Sequence, residues 1–408
     1  MPTEIVEIRG HLIDSLILPR VIDQIIDLGG RFRILQIDIG RQREDLSYAR
    51  LEVEGEDQAA LDAIQTGIKQ QGAEITDEGD VELAPAPADG VFPEGFYVTT
   101  NLPTRVRVEG KWLQVENPRM DCAIRVDPAG GQVRTVRFPE SRRGDLFVTG
   151  HTGVRVAAAE RSLSRNIFEF MGSSVSSEKP KSAIIADIAE EMVKTKARDE
   201  EILLVLGPVV VHTGAAPHIV RLIELGYVDK LFSGNALAVH DMEQAIFGTS
   251  LGISLEEGLP TERGHQNHMR VVNAVRRVGG IRPAVESGLL AGGIMHACVK
   301  HGVDFLLAGS VRDDGPIPDV ITDVVEAQLE MARRVRDVGL ALMIGTMLHS
   351  VATANLLPAR VKVVCVDINP AVVTKLLDRG SFQTIGLVSD AEPFLHELVA
   401  QLEEKAAL

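Results

Sequence analysis

The sequence predicts an α/β protein whose C-terminal part is built on a parallel sheet, preceded by a ferredoxin-like βαββαβ module and a small β-rich region. Three observations carry this expectation. Runs such as EILLVLGPVVV and ALMIGTML are too continuously apolar for a sheet with one wet face. They alternate with amphipathic stretches such as APHIVRLIELG and PAVVTKLLDRG, the order a sheet covered on both faces requires. Residues 1–80 follow a different order, strand, helix, strand, strand, helix, strand.

In that first module EIVEIRGHLI reads as a strand, LPRVIDQIIDLGG as a helix, RFRILQIDIG and LSYARLEVEG as strands, DQAALDAIQTGIKQQG as a helix and AEITD as a short strand. Val21, Ile22, Ile25, Ile26 and Leu28 recur at helical spacing, whereas Leu51-Glu52-Val53-Glu54 alternates at period two. The proline-rich stretch LAPAPADGVFPEG reads as a link closing the module.

Residues 94–180 form the second region. The runs TRVRVEGKWLQV, CAIRVDP, QVRTVRF and GDLFVTG are short, rich in β-formers and punctuated by Gly and Asp-Pro turns. A helix-like VAAAERSLSRNIFEFMG then leads to SSVSSEKPKS, flexible by composition.

Residues 181–408 read as a Rossmann-like domain. Helix IADIAEEMVKTKA, the run EILLVLGPVVVHTGA, helix APHIVRLIELG and strand KLFSGNALA are followed by a long helical region to about Lys300. Strand DFLLAGSVRDDGP, helix VITDVVEAQLEMARRVRDVG, strands ALMIGTML and VKVVCVD, helix PAVVTKLLDRG and strand TIGLVSD complete it.

The 408 residues suffice for two or three domains. A formal charge of −16 argues against a nucleic-acid partner, because neutralising phosphates takes clustered Lys and Arg. Cys122, Cys298 and Cys365 are far apart with no CxxC pair, and read as reduced, mostly buried thiols of a cytoplasmic protein. MPTEIVEIRG has no apolar run behind a basic flank, and no segment keeps eighteen uncharged apolar residues together, so no membrane association is expected.

Ligands of open parallel sheets sit outside the carboxyl ends of the strands. There the sequence places Gly234-Asn235-Ala236, Arg312-Asp313-Asp314-Gly315, Gly345-Thr346-Met347-Leu348-His349, Asp367-Ile368-Asn369 and Ser389-Asp390-Ala391. Asp367 closes a strand 22 residues after Gly345, the distance at which an acidic residue accepts both ribose hydroxyls of NAD and repels the extra phosphate of NADP. Its bland alternative is a turn residue beside a helix capped by Asn369 before Pro370. The Gly345 to Ser350 amides could hold a pyrophosphate, although Thr346 and Ser350 could equally cap a helix and Met347 and Leu348 pack in the core. Asn235 and Asp314 are candidates for the nicotinamide or its ribose, and turn formers otherwise.

His265 and His268 are three residues apart, but no acidic residue adjoins them, and no metal site is expected. His240 with Asp241 and Glu243 reads as a solvated helix face. His212 and His218 flank Thr213-Gly214 at another strand-to-helix turn.

The strings FSGNALAVHDMEQAIFGTSLG, GSVRDDGP, IGTMLHSVATANLLP, VVCVDINPAVVTKLLDRG and NLPTRVRVEGKWLQVENPRMDCAI together resemble the archaeal-type ornithine cyclodeaminases. That family carries the LOR/SDH conserved region and recurs as the C-terminal part of cyanobacterial arginine dihydrolase fusions. The resemblance extends over essentially the whole chain. It implies NAD-dependent conversion of L-ornithine to L-proline and ammonia, on an NAD domain similar to deoxyhypusine synthase that needs no GxGxxG turn. Carried over by position, the implied NAD contacts are Asn235, Ala236, Asp314, Thr346, Met347, Leu348, His349, Asp367, Asp390 and Ala391. Without the dihydrolase part of the fusions, arginine is not an expected substrate. A homo-oligomer is expected from the family and the chain's size.

The implied chemistry moves a hydride from the ornithine α-carbon to the cofactor and back. Between the two transfers the δ-amine closes a five-membered ring and ammonia leaves. The protein must orient the α-carbon, move protons and exclude water. Arg119 in NPRMDC or Arg155 in HTGVRV is a candidate clamp for the carboxylate, Asp121 for acid/base or amine recognition, and Asn101 for a further polar contact. Each could instead be a turn or sheet-surface residue. Two other readings stay open: an amino-acid or saccharopine-type dehydrogenase, and a non-catalytic amino-acid sensor.

Overall fold

The computed structural model describes the chain except residues 11, 13–16, 41–44, 46, 71–72, 76–78, 128–130, 158–180, 251–252, 255–265, 314, 380–383 and 407–408. The chain divides into two units, Met1–Arg165 and Asn166–Leu408.

The first unit opens with β1 (Thr3–Gly10), α1 (Ile17–Asp27), β2 (Arg31–Asp38), β3 (Ser47–Glu54), α2 (Gln58–Gln70) and β4 (Ala73–Ile75). The strands form one antiparallel sheet in the order β2-β3-β1-β4. The period-two pattern of β3 turns Ala49, Leu51 and Val53 inward, against Val21 and Ile25 of α1 and Leu61 and Ile64 of α2. Strand β2 is an edge, and Ile34, Leu35 and Ile37 are 40–44% exposed on it.

The proline-rich stretch is more than a link. Its start is strand β5 (Glu82–Pro85), which pairs with β10 (Leu146–Thr149) at the edge of a four-stranded sheet, where Pro85 can lack an N–H at little cost. Phe92 then packs on Phe96, Phe138 and Phe147, with ring centroids 4.2–4.9 Å away. Between β5 and β10 come β6 (Thr104–Val108), β7 (Lys111–Gln114), β8 (Ala123–Asp127) and β9 (Gln132–Val136), and β11 (Val154–Val156) follows. They make two small sheets, β5-β10-β8-β9 and β11-β6-β7. Val106 and Val154 of one sheet meet Ile124, Val126, Val133 and Val148 of the other in a shared core. Nearly all of the expected helix and loop at 156–182 lies outside the described residues; Val156 ends β11, and Lys181 and Ser182 open the next helix.

The second unit begins with α3 (Lys181–Ala197) and β12 (Glu201–Leu206). After β12 the apolar run divides at Gly207-Pro208, and Val209–His212 is the short helix α4, followed by α5 (Ala216–Glu224) and β13 (Lys230–Gly234). Proline has no N–H for a central ladder, so a single strand could not run through. Helix α6 (Asn235–Phe247) starts directly at the end of β13, with the short ribbon β14 (Thr249–Ser250) and β15 (Ile253–Ser254) after it. Among the described residues the long helical region is three pieces, α7 (Asn267–Val278), α8 (Ile281–Glu286) and α9 (Ile294–His301). Strand β16 (Asp304–Ala308) follows. Val320–Ile321, expected to open a helix, instead forms β17, because Asp323 starts α10 (Val324–Arg334) by accepting from the amides of Val325 (2.8 Å) and Glu326 (3.0 Å). The remainder is β18 (Val338–Ile344), α11 (Leu348–Ala354), β19 (Lys362–Asp367), α12 (Pro370–Arg379), β20 (Thr384–Val388) and α13 (Ala391–Ala406).

All seven strands β12, β13 and β16–β20 are parallel, in the order β17-β16-β13-β12-β18-β19-β20. Alternate residues feed two cores. Ile202, Leu204, Leu206, Leu340, Leu342 and Ile344 pack on one face with α3, α5 and α13. Leu203, Val205, Phe232, Ala341, Met343 and Cys365 pack on the other with α10 and α12. Burial on both faces is why these strands read as unbroken apolar runs. The three cysteines are unpaired and buried. No described helix is long and apolar enough to cross a membrane.

Candidate functional site

Strand order fixes where a ligand belongs. From β12 the chain steps outward through β13, β16 and β17, then returns to the other side of β12 as β18 and moves away through β19 and β20. The loops leaving β12 and β18 therefore separate at their carboxyl ends, the crevice at which such sheets bind ligands. Two glycines line it. Gly207 donates to the Ile344 carbonyl and Gly345 to the Val366 carbonyl, each at 3.0 Å. A Cβ on Gly207 would overlap the Gly345 carbonyl, and one on Gly345, whose φ is +63°, would overlap Val209. The close approach that a glycine-rich turn gives elsewhere is made here by one glycine from each of two strands.

The loop after β18 carries Thr346, Met347, Leu348 and His349. Met347 is 46% and Leu348 72% exposed, so neither is a core residue. No side chain caps the start of α11. Within that helix the hydroxyls of Ser350 and Thr353 are buried without a hydrogen-bond partner. The His349 imidazole lies over Gly234, and burial lowers its pKa, with Asp313 opposing the shift. A nuclear magnetic resonance titration of this imidazole is therefore expected to give a midpoint below 6.5; a midpoint at or above it contradicts the neutral, desolvated placement.

Asp367 ends β19. Its Oδ1 accepts from the Asn369 amide at 2.8 Å, which is the bland turn role, while no described residue donates to Oδ2. Ile368 beside it is 69% exposed. Asp390 lies just after the neighbouring β20 and accepts from the amide of Ala391, the first residue of α13, at 2.6 Å. Asn235 is no loop residue: it is buried at the start of α6, and its Oδ1 accepts from the Ile317 amide at 3.1 Å, bracing the segment that follows β16. Ala236 is exposed beside it, and Asp314 lies outside the described residues. The chain thus presents a carboxylate with a free oxygen, orphaned hydroxyls, an uncapped helix start and exposed apolar side chains along one edge. That set fits a dinucleotide, whose ribose, phosphates and rings need those groups.

The expected solvated face at His240 is buried instead. Asp241 is 1% and Glu243 0% exposed. Asp241 accepts from the amides of Ile294 (2.7 Å) and Met295 (2.8 Å), capping α9, and burial pushes its carboxyl up to about 6. Glu243 takes hydrogen bonds from Thr249 (2.8 Å) and His240 (3.3 Å), and Asn267 donates to Thr249 at 3.0 Å. His212 meets Ser250 at 2.6 Å, and its ring crosses that of His240 at 4.8 Å. His265 lies outside the described residues, among which no group of three potential ligands that could hold a metal occurs.

In the first unit, three chain segments converge on the other set of predicted residues. Thr99 Oγ1 donates to the Arg119 carbonyl at 2.6 Å, and the Asp121 amide donates to the Thr99 carbonyl at 3.1 Å, fixing the segment before Asn101 against residues 119–122. Arg119 is 7% exposed and is a brace: its guanidinium donates to Thr135 Oγ1 (3.2 Å), the Thr135 carbonyl (3.1 Å) and Glu140 (3.3 Å). Asp121 is exposed with φ +57°, a conformation costly for most residues and tolerated by Asp. Asn101 is half-buried in the adjoining bend. Arg155 lies apart from this junction on β11, stacked over Trp112 at 4.2 Å. Asp121→Asn is expected to slow turnover while NAD affinity is kept; full activity would remove Asp121 from proton transfer.

Comparison with known proteins gives a full-length match. A family model for the LOR/SDH bifunctional enzyme conserved region matches residues 3–102. Two models of arginine dihydrolase ArgZ-like C-terminal regions follow, the first region at 103–185 and the Rossmann fold at 186–398. The ornithine cyclodeaminase of Methanothermobacter thermautotrophicus is 50% identical over 409 residues, covering 100% of both chains. Among solved structures, apo ArgZ, a cyanobacterial arginine dihydrolase, superposes with a TM-score of 0.85 at 37% identity, over 99% of this chain and 59% of that one. The ternary complex of AgrE with ornithine and NAD+ gives a TM-score of 0.55 at 40% identity, over 100% of this chain and 58% of that one. The chain belongs to the ornithine cyclodeaminase family that carries the LOR/SDH conserved region and the ArgZ-like C-terminal domains.

Proposed function

We propose that this chain is an NAD-dependent ornithine cyclodeaminase, converting L-ornithine to L-proline and ammonia with no net redox change. The observation that carries the reading is the 50% identity, over the full length of both chains, to a protein named ornithine cyclodeaminase. The AgrE complex with ornithine and NAD+, a relative at 40% identity, supports the pairing of substrate and cofactor.

Bound NAD supplies the acceptor and then the donor of one hydride. This chain holds it without a GxGxxG turn, in a loop-held pocket of the deoxyhypusine-synthase kind. Asp367 takes the ribose hydroxyls through Oδ2. The Thr346–His349 loop and the start of α11 face the pyrophosphate, with Met347 and Leu348 against the rings. Asp390 and Ala391 line the adenosine side, and Asn235, Ala236 and Asp314 the nicotinamide side. Asp121 handles the proton and the amine, Asn101 adds a polar contact, and Arg119 and Arg155 add positive charge toward the carboxylate. The three modules are a ferredoxin-like 1–80, a β-rich 94–180 and the cofactor domain 181–408. The enzyme works in the cytoplasm as a homo-oligomer. The apolar side chains on edge strand β2 support a partner copy, since an exposed strand edge invites pairing.

Purified protein with NAD and ornithine should release proline and ammonia in equal amounts while nicotinamide absorbance stays constant. Accumulating NADH with ornithine or lysine would replace this reading by a dehydrogenase, and binding without turnover by a sensor.

A further inference from the structure

Arg137 was not singled out by its sequence context, QVRTVRF, yet among the described residues of the first unit it is a buried arginine with an unpartnered Nε. It is 9% exposed, and its Nε is buried without a hydrogen-bond partner. Burial raises the pKa of the Cys122 thiol against the opposing charges of Arg119 and Arg137 close by, and no carboxylate among the described residues forms an ion pair with the Arg137 guanidinium. The nearby carboxylate is already engaged: Glu140 Oε2 accepts from the Arg119 guanidinium (3.3 Å) and from the Arg137 backbone amide (3.0 Å). Glu140 is thus taken by one guanidinium, that of Arg119, and by the Arg137 backbone, which leaves the Arg137 side chain without an acid. At the other end of the same short turn, the Ser141 hydroxyl is fully buried and also without a partner.

A buried charge without a counter-ion is costly and persists where something else compensates it. Burial itself is built in, since Arg137 directly follows β9 and Cys122, whose thiol feels the Arg137 charge, is 0% exposed in the junction that holds Thr99 to residues 119–122. Its charge therefore lies near Cys122, in the junction whose neighbouring residues include Asn101 and Asp121. Next to it, Phe138 is 50% exposed and stacks on Phe92 at 4.2 Å, giving an apolar wall beside the charge. A carboxylate attached to an aliphatic stem complements both features.

We propose that Arg137 is the residue that receives the α-carboxylate of the amino-acid substrate, with Arg119 held behind it by Thr135 and Glu140 as a supporting charge. This rests on the cyclodeaminase reading for the identity of the substrate. It assigns the direct contact to an arginine whose guanidinium is not committed to another acid, in place of Arg119, which is committed to Glu140, and Arg155, which is stacked on Trp112.

The test compares ornithine with 1,4-diaminobutane, which keeps the amines and lacks the carboxylate, by calorimetry in the presence of NAD on wild type, Arg137→Gln and Arg137→Lys. Arg137→Gln is expected to weaken ornithine binding on the order of 10–100-fold and to leave diaminobutane binding unchanged. Arg137→Lys, with charge but no fork, should fall between. In turnover the loss should appear in KM more than in kcat. Arg137→Gln should melt no lower than wild type, since it removes an uncompensated buried charge. Wild-type affinity for ornithine in Arg137→Gln overturns the proposal, and so does an equal loss of both ligands with a lower Tm. Arg137-dependent binding of ornithine without proline formation contradicts the cyclodeaminase reading alone. Proline formation with an unchanged KM in Arg137→Gln contradicts the Arg137 assignment alone, and a wild type that binds no α-amino acid contradicts both.

Discussion

Gly345→Ala is expected to destabilise the second unit by about 2–4 kcal/mol and to abolish NAD binding, because overpacking and a left-handed backbone are both penalised. The new methyl would overlap Val209 at a φ of +63°, where only glycine is unstrained. Relief requires the β18 loop to move off α4, which separates the two walls of the crevice. Gly207→Ala attacks the same contact from the other side, at the Gly345 carbonyl. Urea unfolding followed by tryptophan-independent circular dichroism, with NAD binding measured in parallel, reads both effects. Wild-type stability and affinity in Gly345→Ala would mean that the close approach of these loops does not shape the pocket.

Asp367→Ala is expected to raise the NAD dissociation constant by about 10–100-fold, the value of the charge-assisted hydrogen bonds lost, about 1.5–3 kcal/mol. It should also narrow discrimination against NADP, since the carboxylate that repels the additional phosphate is gone. Asp367→Asn separates the two roles of this side chain. Its amide oxygen can still accept from the Asn369 amide and keep the turn, while the charge offered through Oδ2 is removed. Loss of affinity in both variants assigns the effect to the ribose, whereas loss in Asp367→Ala alone assigns it to the turn. Unchanged affinity in both removes Asp367 from the cofactor.

The elements whose apolar periodicity is strong were legible from sequence. Strand β3 alternates because one face is buried, and β12, β18 and β19 are continuous because both faces are. Legibility ended where apolar residues cross from strand to helix without a polar break. Leu206-Gly207-Pro208-Val209 reads as one run, and the only marker of its division is proline. Val320-Ile321 reads as the start of α10, and its addition to the sheet edge depends on pairing with Leu307 and Ala308, which no local signal reveals. Leu83 to Gly95 has a linker's composition, yet Phe92 is held in an aromatic cluster formed with residues up to 55 positions away.

At the site, strand ends located Asp367, Asp390 and the Thr346–His349 loop, because the carboxyl-end rule needs only the strand boundaries. The single glycine per strand was less visible, since Gly207 and Gly345 are 138 residues apart and meet only when β12 and β18 pair. Burial of charge was the least legible property. Asp241 and Glu243 occur in a helix whose acidic residues suggest solvent, and both are inside because helix starts, hydroxyls and an imidazole supply their partners. Arg137 is the converse, an arginine directly after an ordinary β pattern whose buried Nε has no hydrogen-bond partner among the described residues. Only the ledger of donors and acceptors around a folded side chain exposes it.

The central claim is that one hydride leaves the ornithine α-carbon and returns to the same carbon skeleton. Ornithine deuterated at the α-carbon, incubated with the protein and NAD in ordinary water, tests it most directly by mass spectrometry of the products. The account predicts proline that retains the deuterium at its α-carbon, with no deuterated NADH accumulating in solution. Proline without the label, or deuterium found in released NADH, would contradict it.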